Sequence, residues 1–303
     1  MILIVGGTGN LGGHVVSQLL AEGKAVRVMT RDPLRASNWQ AAGAQVVQGD
    51  LRDAQSLKDA TQGARVVISS SHSLLGARAN SSRLVDDTGQ HALIHAAEDA
   101  GVEQFLYVSA MGASPDHPID FWRTKARVEQ FLRTRPLRFT IIRPAAFMGL
   151  HAYELIGKPV VNGKPVIIFG PGTQLMNYVA ESDVATLLTS AIGNGALDGQ
   201  TIEIGGPDNL SANQVVQLFE KLSGRTARVV HVPLLVPRVL SGLIRPMHEG
   251  IGRLLKASAA APAQDMTFDA NEFLSRYPRT LTRLEDWARD RVARQNLEGL
   301  PRQ

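Results

Sequence analysis

Residues 6–13, Gly-Gly-Thr-Gly-Asn-Leu-Gly-Gly, constrain the fold of this chain more than any other segment. They follow the apolar run Ile2–Val5 and precede a helical pattern over residues 11–22, so they form a turn between a strand and a helix. Glycines at 6, 9 and 12 permit a tight turn, close approach of a bound group and close helix packing. The free N–H groups of such a helix bind phosphates. Because of this context we prefer a dinucleotide pyrophosphate site to a merely tight turn. The residues expected there are Gly6, Thr8, Gly9, Asn10, Leu11 and Gly12.

Strand-like and helical segments alternate along the first half of the chain. Apolar runs at residues 2–5, 25–30, 44–50, 64–71, 104–110 and 138–144 are separated by helical spacing at 11–22, 51–62, 86–100 and 121–134. Near-continuous apolar runs that alternate with helices are typical of a parallel sheet covered on both faces. We therefore predict an α/β fold, a doubly wound parallel sheet of the Rossmann type with a small C-terminal substrate or cap region.

The rhythm changes after residue 144. Glycine and proline cluster at 157–165 and 170–172, while a helix at 181–192 and a strand at 201–204 are expected to return to the main sheet. Ser211 is predicted to cap a helix over 211–223 that ends at Gly224, and a final helix is predicted over 282–294. The predicted division is a dinucleotide-binding domain, 1–150 with 176–206, and a smaller region, 151–175 with 207–303.

Composition excludes several classes of function. The 303 residues include no cysteine, which excludes disulfides, thiolate metal sites and a cysteine nucleophile and makes the cytoplasm the default compartment. The net charge of +4 is scattered and aromatic residues make up 5%, so we expect no nucleic-acid partner. No His and carboxylate cluster has metal spacing, so no metal is expected. The apolar stretch 233–255 is broken by Pro237 and Pro246 and predicts short helices under a lid, with a membrane-surface patch as the less favoured alternative.

The end of the second strand bears on the choice of nucleotide. The position that normally contacts the ribose holds Arg31, whose planar donors suit a 2′-phosphate, and Arg35 follows closely. Asp32 leaves open a contact with a ribose hydroxyl, and Arg31 and Asp32 can also be read as exposed turn residues. We predict NADP(H) in preference to NAD(H).

Two further strand ends are expected beside the nucleotide. Asp50 and Leu51 end the third strand, where Asp50 can accept from the adenine amino group or cap the next helix, and the cap is the preferred interpretation. Ser69, Ser70 and Ser71 end the fourth strand and are expected to line the passage to the ribose and nicotinamide.

Taken together, these segments resemble the short-chain dehydrogenase/reductase superfamily and, within it, the atypical NmrA-like branch of isoflavone-reductase-like and quinone-reductase-like proteins. The resemblance covers about residues 1–205. The segments that carry it are GGTGNLG, Arg31, Gly49-Asp50-Leu51, Tyr107-Val108-Ser109-Ala110, Lys125, Ile142-Arg143-Pro144, Asn177-Tyr178-Val179 and Ser182-Asp183-Val184-Ala185.

The resemblance implies a catalytic Ser followed by Tyr-x-x-x-Lys. Ser109 and Lys125 match, whereas Phe121 holds the Tyr position and has no hydroxyl to transfer a proton. Ordinary alcohol–ketone interconversion is therefore disfavoured, and NmrA-like members commonly lack the Tyr and keep the Lys. Lys125 is expected to bind the nicotinamide ribose and to place positive charge near the substrate; the alternative is an exposed surface lysine.

Other candidate residues have two interpretations each. Ser109 can bind a carbonyl or cap a turn, and His117 can supply a proton or lie exposed in a loop. The backbone after the sixth strand, at Pro144, Ala145 and Phe147, is expected to meet the nicotinamide amide. The expected substrate pocket, whose members can equally be core residues, comprises Phe121, Met148, His151 and Tyr153.

The leading hypothesis is an NADPH-dependent reductase of an apolar conjugated substrate, a quinone or an activated double bond, because such a substrate needs a weaker acid than Tyr. The first rival is a non-catalytic NADP(H)-sensing protein of the NmrA type that regulates a partner protein. A third hypothesis, a membrane-associated assembly factor that uses residues 233–255, is weaker, since membrane contact is disfavoured.

Overall fold

The computed structural model describes residues 1–260 and 264–298. Its strands are β1 (Ile2–Val5), β2 (Val26–Thr30), β3 (Gln45–Gln48), β4 (Val66–Ser69), β5 (Gln104–Val108), β6 (Arg138–Pro144), β7 (Ala146–Phe147), β8 (Val166–Phe169), β9 (Leu175–Val179), β10 (Thr201–Ile204), β11 (Asn209–Ser211) and β12 (Val229–Val232). Its α-helices are α1 (Asn10–Ala21), α2 (Ser37–Ala41), α3 (Ala54–Thr61), α4 (Gly89–Asp99), α5 (Asp120–Arg133), α6 (Lys158–Val161), α7 (Glu181–Ala191), α8 (Ala212–Ser223), α9 (Leu235–Ile244), α10 (Glu249–Ala260), α11 (Ala270–Arg276) and α12 (Leu284–Glu298).

Short helical turns complete the secondary structure. Pro33–Ala36, Arg78–Asn80 and Gly195–Leu197 form 3₁₀ turns. Arg83–Thr88 and Met148–Gly157 have π-helical hydrogen bonding. The first of these π segments leads directly into α4, so the helix expected over 86–100 starts earlier, at residue 83, with a wider first turn.

The main sheet has the strand order β10-β6-β5-β4-β1-β2-β3. Every neighbouring pair from β3 to β6 is parallel, and Val5 at the end of β1 lies between Met29 of β2 and Ser69 of β4. The strand order reverses between β1 and β4, so the carboxyl ends of these two strands open the crevice where doubly wound sheets bind ligands. The predicted doubly wound α/β fold is confirmed.

Burial explains why these segments form central strands. All residues of β1, β4 and β5 are buried, which requires helices on both faces of the sheet. One core cluster joins Leu3, Phe105 and Leu93. Each fully buried aliphatic side chain of this kind stabilises the fold by about 1.5–3 kcal/mol. The carboxyl ends of the central strands are therefore held in place by a well-packed core.

The chain divides into two compact units. The first contains residues 1–144, 184–203 and 241–254, and the second contains 145–183, 204–240 and the residues from 255 on. This division differs from the expected one by short shifts at 145–150 and 204–206, which belong to the second unit, and by two longer segments. Residues 176–183, with β9, belong to the second unit, and 241–254, with the start of α10, belong to the first.

The second unit has a core of its own. It contains the small sheets β11-β9-β7 and β12-β8 and a buried cluster that includes Tyr153, Phe219 and Leu284. Ser211 caps α8 through a capping box with Gln214, and Gly224 ends the helix in the left-handed conformation at φ 68°, as predicted. In the two described ranges, no helix combines the length and apolar character needed to cross a membrane.

Candidate functional site

The turn between β1 and α1 can be built only with glycine at two positions. Gly6 has φ +97°, and a Cβ atom there would lie 2.9 Å from both the Ser70 Oγ and the Ser71 backbone nitrogen. A Cβ atom on Gly12 would lie 2.1 Å from the Gly6 carbonyl oxygen. The turn is closed by the Gly9 N–H, which donates to the same oxygen at 3.0 Å. The backbone is thereby held close to the end of β4.

The N-terminus of α1 lacks a side-chain partner. Gly9 is the N-cap and no side chain caps the helix, and its first turn contains no acidic residue. The N–H groups of a first helical turn have no intrahelical acceptors and carry the positive end of the helix dipole. Thr8 is half-buried, and Gly9 and Asn10 are exposed, whereas the side chain of Leu11 is buried in the core. The arrangement fits the pyrophosphate of a dinucleotide.

The end of β2 presents a cation beside a cavity. A cavity of about 310 Å³ is lined by Arg31, Gln48, Gly49, Asp50, Asp53 and Ser56. The exposed Arg31 guanidinium donates to the Asn80 side-chain oxygen at 2.9 Å. The carboxylate of Asp32 instead accepts from the Leu34 N–H at 3.1 Å and caps the following 3₁₀ turn, in which Arg35 is exposed. At this strand end the arginine, rather than the carboxylate, faces the cavity.

The preferred interpretation of Asp50 as a helix cap is wrong. Helix α3 starts three residues later than expected, and its N-cap is Asp53, whose side chain accepts from the Gln55 N–H at 3.0 Å. Asp50 instead accepts from the Arg52 N–H and Nε, both at 2.9 Å, and this pairing lowers the pKa of its carboxyl. Strand β3 ends at Gln48 and not at Leu51, so residues 49–53 separate the strand from the helix, and Asp53, the carboxylate nearer the helix, caps it. Asp50 is thus left to line the cavity, and Leu51 is buried.

The serines after β4 are held in hydrogen bonds. The Ser69 hydroxyl donates to Gln90 at 2.8 Å, and the Ser70 hydroxyl donates to the Val5 carbonyl at 3.2 Å. The Gln90 amide donates to the Ser71 carbonyl at 3.3 Å. These bonds fix the segment that lies against Gly6. Its role in lining the nicotinamide passage stays a prediction.

Lys125 is a buried cation and not the surface lysine of the alternative interpretation. Only 2% of the residue is exposed, and its Nζ donates to the Val108 carbonyl at 2.9 Å. Nζ also lies 4.8 Å from the ring centroid of Tyr107 and 5.6 Å from that of Phe121. Burial lowers the pKa of Lys125, against the opposing charges of Asp86 and Glu129. An ammonium has three donors, so the bond to Val108 does not exhaust it.

Ser109 belongs to a buried charge network that the sequence did not reveal. Its hydroxyl donates to the carboxylate of Glu129, which is 2% exposed. The Arg143 guanidinium also binds that carboxylate through two hydrogen bonds of 2.9 and 2.7 Å. This pairing raises the pKa of Arg143. Glu129 and Arg143 lie 14 residues apart on α5 and β6, so no local motif connects them. The predicted contact of Ser109 with a substrate carbonyl remains a prediction.

The remaining candidates fall in both units. In the first unit, Phe121 is buried and Pro144 accepts from the Met111 N–H at 3.0 Å. In the second unit, the Ala145 N–H donates to the Ile204 carbonyl at 2.9 Å and Phe147 is half-buried. The contact of Pro144, Ala145 and Phe147 with the nicotinamide amide stays a prediction. The substrate-pocket role of Phe121 and of the residues described next also stays a prediction.

Three proposed pocket residues lie in the π-helical segment of the second unit. Met148 is fully buried and His151 is half-buried. The Tyr153 hydroxyl donates to Gln295, and its ring packs near Phe219 and Trp287 at 6.0 and 6.1 Å between centroids. Tyr153 is therefore a core residue of its own unit.

Comparison with known proteins agrees with this geometry. The model of the NmrA-like family matches residues 1–277. The photosystem II assembly factor Ycf39 of Synechocystis is 28% identical over 97% of this chain and 91% of its own length. An NAD(P)H azoreductase of Xenophilus azovorans is 30% identical over 77% of this chain and 78% of its own. The crystal structure of an NADPH-dependent quinone oxidoreductase from Escherichia coli, complexed with NADPH, shares the fold at TM-score 0.76 and 19% identity, covering 98% of this chain and 100% of that one.

The sheet, the crevice and the glycine turn define a Rossmann-type NAD(P)-binding protein. Within that class, the chain belongs to the NmrA-like family. The resemblance noted from the sequence is thereby confirmed, and it extends beyond residue 205 to residue 277.

Proposed function

We propose that this protein is an NADPH-dependent reductase of an apolar, conjugated acceptor, either a quinone or an activated double bond. The observation that carries the proposal is the buried ammonium of Lys125 beside Phe121, in the same unit as the glycine turn. A buried cation that is not needed to neutralise a bonded carboxylate is costly to keep. Such a group is well suited to stabilise negative charge that develops on a substrate.

The preference for NADP(H) rests on the end of β2. Arg31 lines the cavity there and presents a guanidinium to a 2′-phosphate, while Asp32 is used as a cap. The uncapped N-terminus of α1 would receive the pyrophosphate. An azoreductase named for NAD(P)H among the relatives agrees with a nicotinamide cofactor of either kind.

The choice of acceptor rests on the missing hydroxyl at position 121. Bound NADPH would supply a hydride, and Lys125 would hold the nicotinamide ribose and offset the negative charge left on the substrate. Tyr107 does not replace the missing Tyr, because burial and then the charge of Asp86 raise the pKa of its enclosed hydroxyl. A conjugated acceptor spreads its charge and needs less help from an acid.

Turnover with a panel of acceptors tests the reaction. The purified protein is expected to oxidise NADPH with 1,4-benzoquinone or 1,4-naphthoquinone, and faster than with simple aldehydes. Inactivity with quinones, enones and azo dyes, in a protein that binds NADPH, would overturn the proposal in favour of the non-catalytic sensor. That rival draws support from Phe121 and predicts a partner interaction that changes with the NADPH/NADP⁺ ratio.

The variant Arg31→Ala tests the cofactor. Hydrogen bonds to charged groups contribute about 1.5–3 kcal/mol, so the affinity for NADPH is expected to fall by about 10–150-fold while that for NADH is unchanged. Titration of intrinsic fluorescence measures both. Lys24→Ala removes an exposed charge from the opposite end of β2 and serves as the control. Unaltered NADPH affinity in Arg31→Ala would contradict the assignment.

A further inference from the structure

The loop after β4 brings an imidazole beside the ring of Phe121, the residue that lacks the hydroxyl. His72 follows the segment 70–71, which packs directly against Gly6. Its ring lies edge-on to that of Phe121, with 6.3 Å between centroids and 78° between planes. His72 is exposed, whereas Phe121 is buried, so the polar ring and not the apolar one is accessible to a ligand.

Hydrogen bonding sets the orientation of this ring. The Leu74 N–H donates to the His72 Nδ1 at 3.4 Å, which favours a proton on Nε2 in the neutral ring. The next residue, Ser73, donates its N–H at 2.8 Å to the buried carboxylate of Asp86, which also accepts from the Ser82 hydroxyl at 2.6 Å. The backbone on the C-terminal side of His72 is therefore anchored.

A second anchor comes from α10. The Arg253 guanidinium, 4% exposed, donates to the Leu74 carbonyl and binds the Asp120 carboxylate at 2.9 Å. Asp120 begins α5 and immediately precedes Phe121. One buried side chain thus ties the loop that carries His72 to the helix that carries Phe121 and Lys125.

Charged groups on α5 and on the π-helical turn 83–88 act on His72. Burial by the surrounding protein atoms, followed by the charge of Lys125 on α5, lowers the pKa of His72 from its ordinary 6.5, while Asp86 on the π-helical turn raises it. Arg253 and Asp120 neutralise each other beside the loop.

We propose that His72 is the proton donor of the reduction, in place of the superfamily's Tyr; the proposal rests on the reductase function above. Bound NADPH would supply the hydride that forms a C–H bond on a conjugated carbonyl acceptor, and the π electrons of the acceptor would move to its oxygen. The imidazolium form of His72 carries a proton on Nδ1 as well and gives up the hydrogen bond from the Leu74 N–H. It would then give its Nε2 proton to that oxygen and become the neutral Nδ1–H ring. Water restores the proton before the next turnover.

The variant His72→Gln tests this assignment with 1,4-naphthoquinone as the acceptor. A general acid contributes about 10²–10⁴-fold, so kcat is expected to fall by that factor while the Kd for NADPH stays unchanged. The wild-type rate is expected to decline as the pH rises through a pKa below 6.5, and the variant is expected to lose this dependence. Added imidazole is expected to restore part of the rate of His72→Ala, which a merely structural defect would not allow.

Two matched variants sharpen the result. His95→Gln, whose side chain is 54% exposed on α4, is expected to keep the wild-type rate and pH profile. His117→Gln tests the other histidine considered as a donor; if it removes the pH dependence and His72→Gln does not, the proposal is overturned. Normal turnover and pH dependence in His72→Gln would overturn the role of His72 alone. A wild-type protein that binds NADPH without turnover would overturn the reductase function itself.

Discussion

The glycine turn follows the carboxyl end of β1, and a cluster of Lys125, Glu129 and Arg143 lies beside the carboxyl end of β5. The two regions are built by opposite means. At the turn, the shape comes from the backbone, because Gly6 and Gly12 leave no space for a side chain. In the cluster, the shape comes from the charged side chains of Lys125, Glu129 and Arg143, which are held by each other and by one carbonyl. The first region has no room for a Cβ atom at Gly6 or Gly12, whereas the second is disrupted by the loss of a charge.

This difference sets how each region responds to substitution. A binding turn made of backbone is disrupted when a Cβ atom clashes with it, and the main effect is on the affinity for the ligand. A buried charge network fails when one partner is removed, because the other charge is left desolvated. The free energy of unfolding and the Kd for NADPH therefore separate the two regions.

The largest loss of stability is expected from Glu129→Ala. It leaves Arg143, whose side chain is 22% exposed, without its two-point partner and Ser109 without its acceptor. Breaking a buried pair in this way costs about 3 kcal/mol, the lower end of the usual range, because Arg143 retains Glu203. Urea denaturation measures this loss, and the Kd for NADPH is expected to change little. Glu103→Ala, which breaks the exposed pair with Arg65, is the control and is expected to cost far less.

The next largest effect on stability is expected from Gly12→Ala. The new Cβ atom would lie 2.1 Å from the Gly6 carbonyl oxygen, so the carbonyl would have to move. Overpacking of this kind costs about 1–3 kcal/mol. Because the turn itself must move, NADPH binding is expected to be lost. Gly13→Ala, whose Cβ atom would come no closer than 3.4 Å to Trp39, is the matched control. Equal NADPH affinity in the two variants would show that the turn does not hold the nucleotide.

The smallest effect is expected from Arg52→Gln at the cavity rim. The Asp50–Arg52 pair is partly exposed and stabilises the fold by about 0–1 kcal/mol. Since the pairing lowers the pKa of Asp50 below 3.8, its contribution is fully present above that pH and is lost as the pH falls through the folded-state pKa. The stability difference between wild type and variant, measured by urea denaturation from pH 7 to pH 3, should therefore shrink at the acid end. A constant difference would refute the pairing as its source.

The sequence predicts features that depend on neighbours in the chain. The turn at residues 6–13, the cap at Ser211 and the left-handed Gly224 are each specified within a few residues, and each is found as expected. The cap at Asp50 was assigned one turn too early, because two candidate carboxylates, Asp50 and Asp53, lie within the same short loop. Only the hydrogen bonds of the folded loop distinguish them.

The sequence does not predict contacts between charges that are far apart in the chain. Glu129 and Arg143 have the spacing of ordinary surface residues, and Asp86 lies in a helical stretch where an acidic residue is expected to face water. Their burial follows from the packing of α5, β6 and the π-helical turn around Lys125. The burial of Lys125 could not be inferred from the sequence, since an isolated lysine is usually exposed.

The reach of Arg253 has a consequence for synthesis on the ribosome. The strands of the main sheet are complete once residue 204 has been made. The carbonyl of Leu74 and the carboxylate of Asp120 are bound by the guanidinium of Arg253, which is made 49 residues later. A nascent chain that has already formed its sheet thus still lacks the tie between the His72 loop and α5. This tie forms late in synthesis, so a chain that ends before residue 253 would lack it.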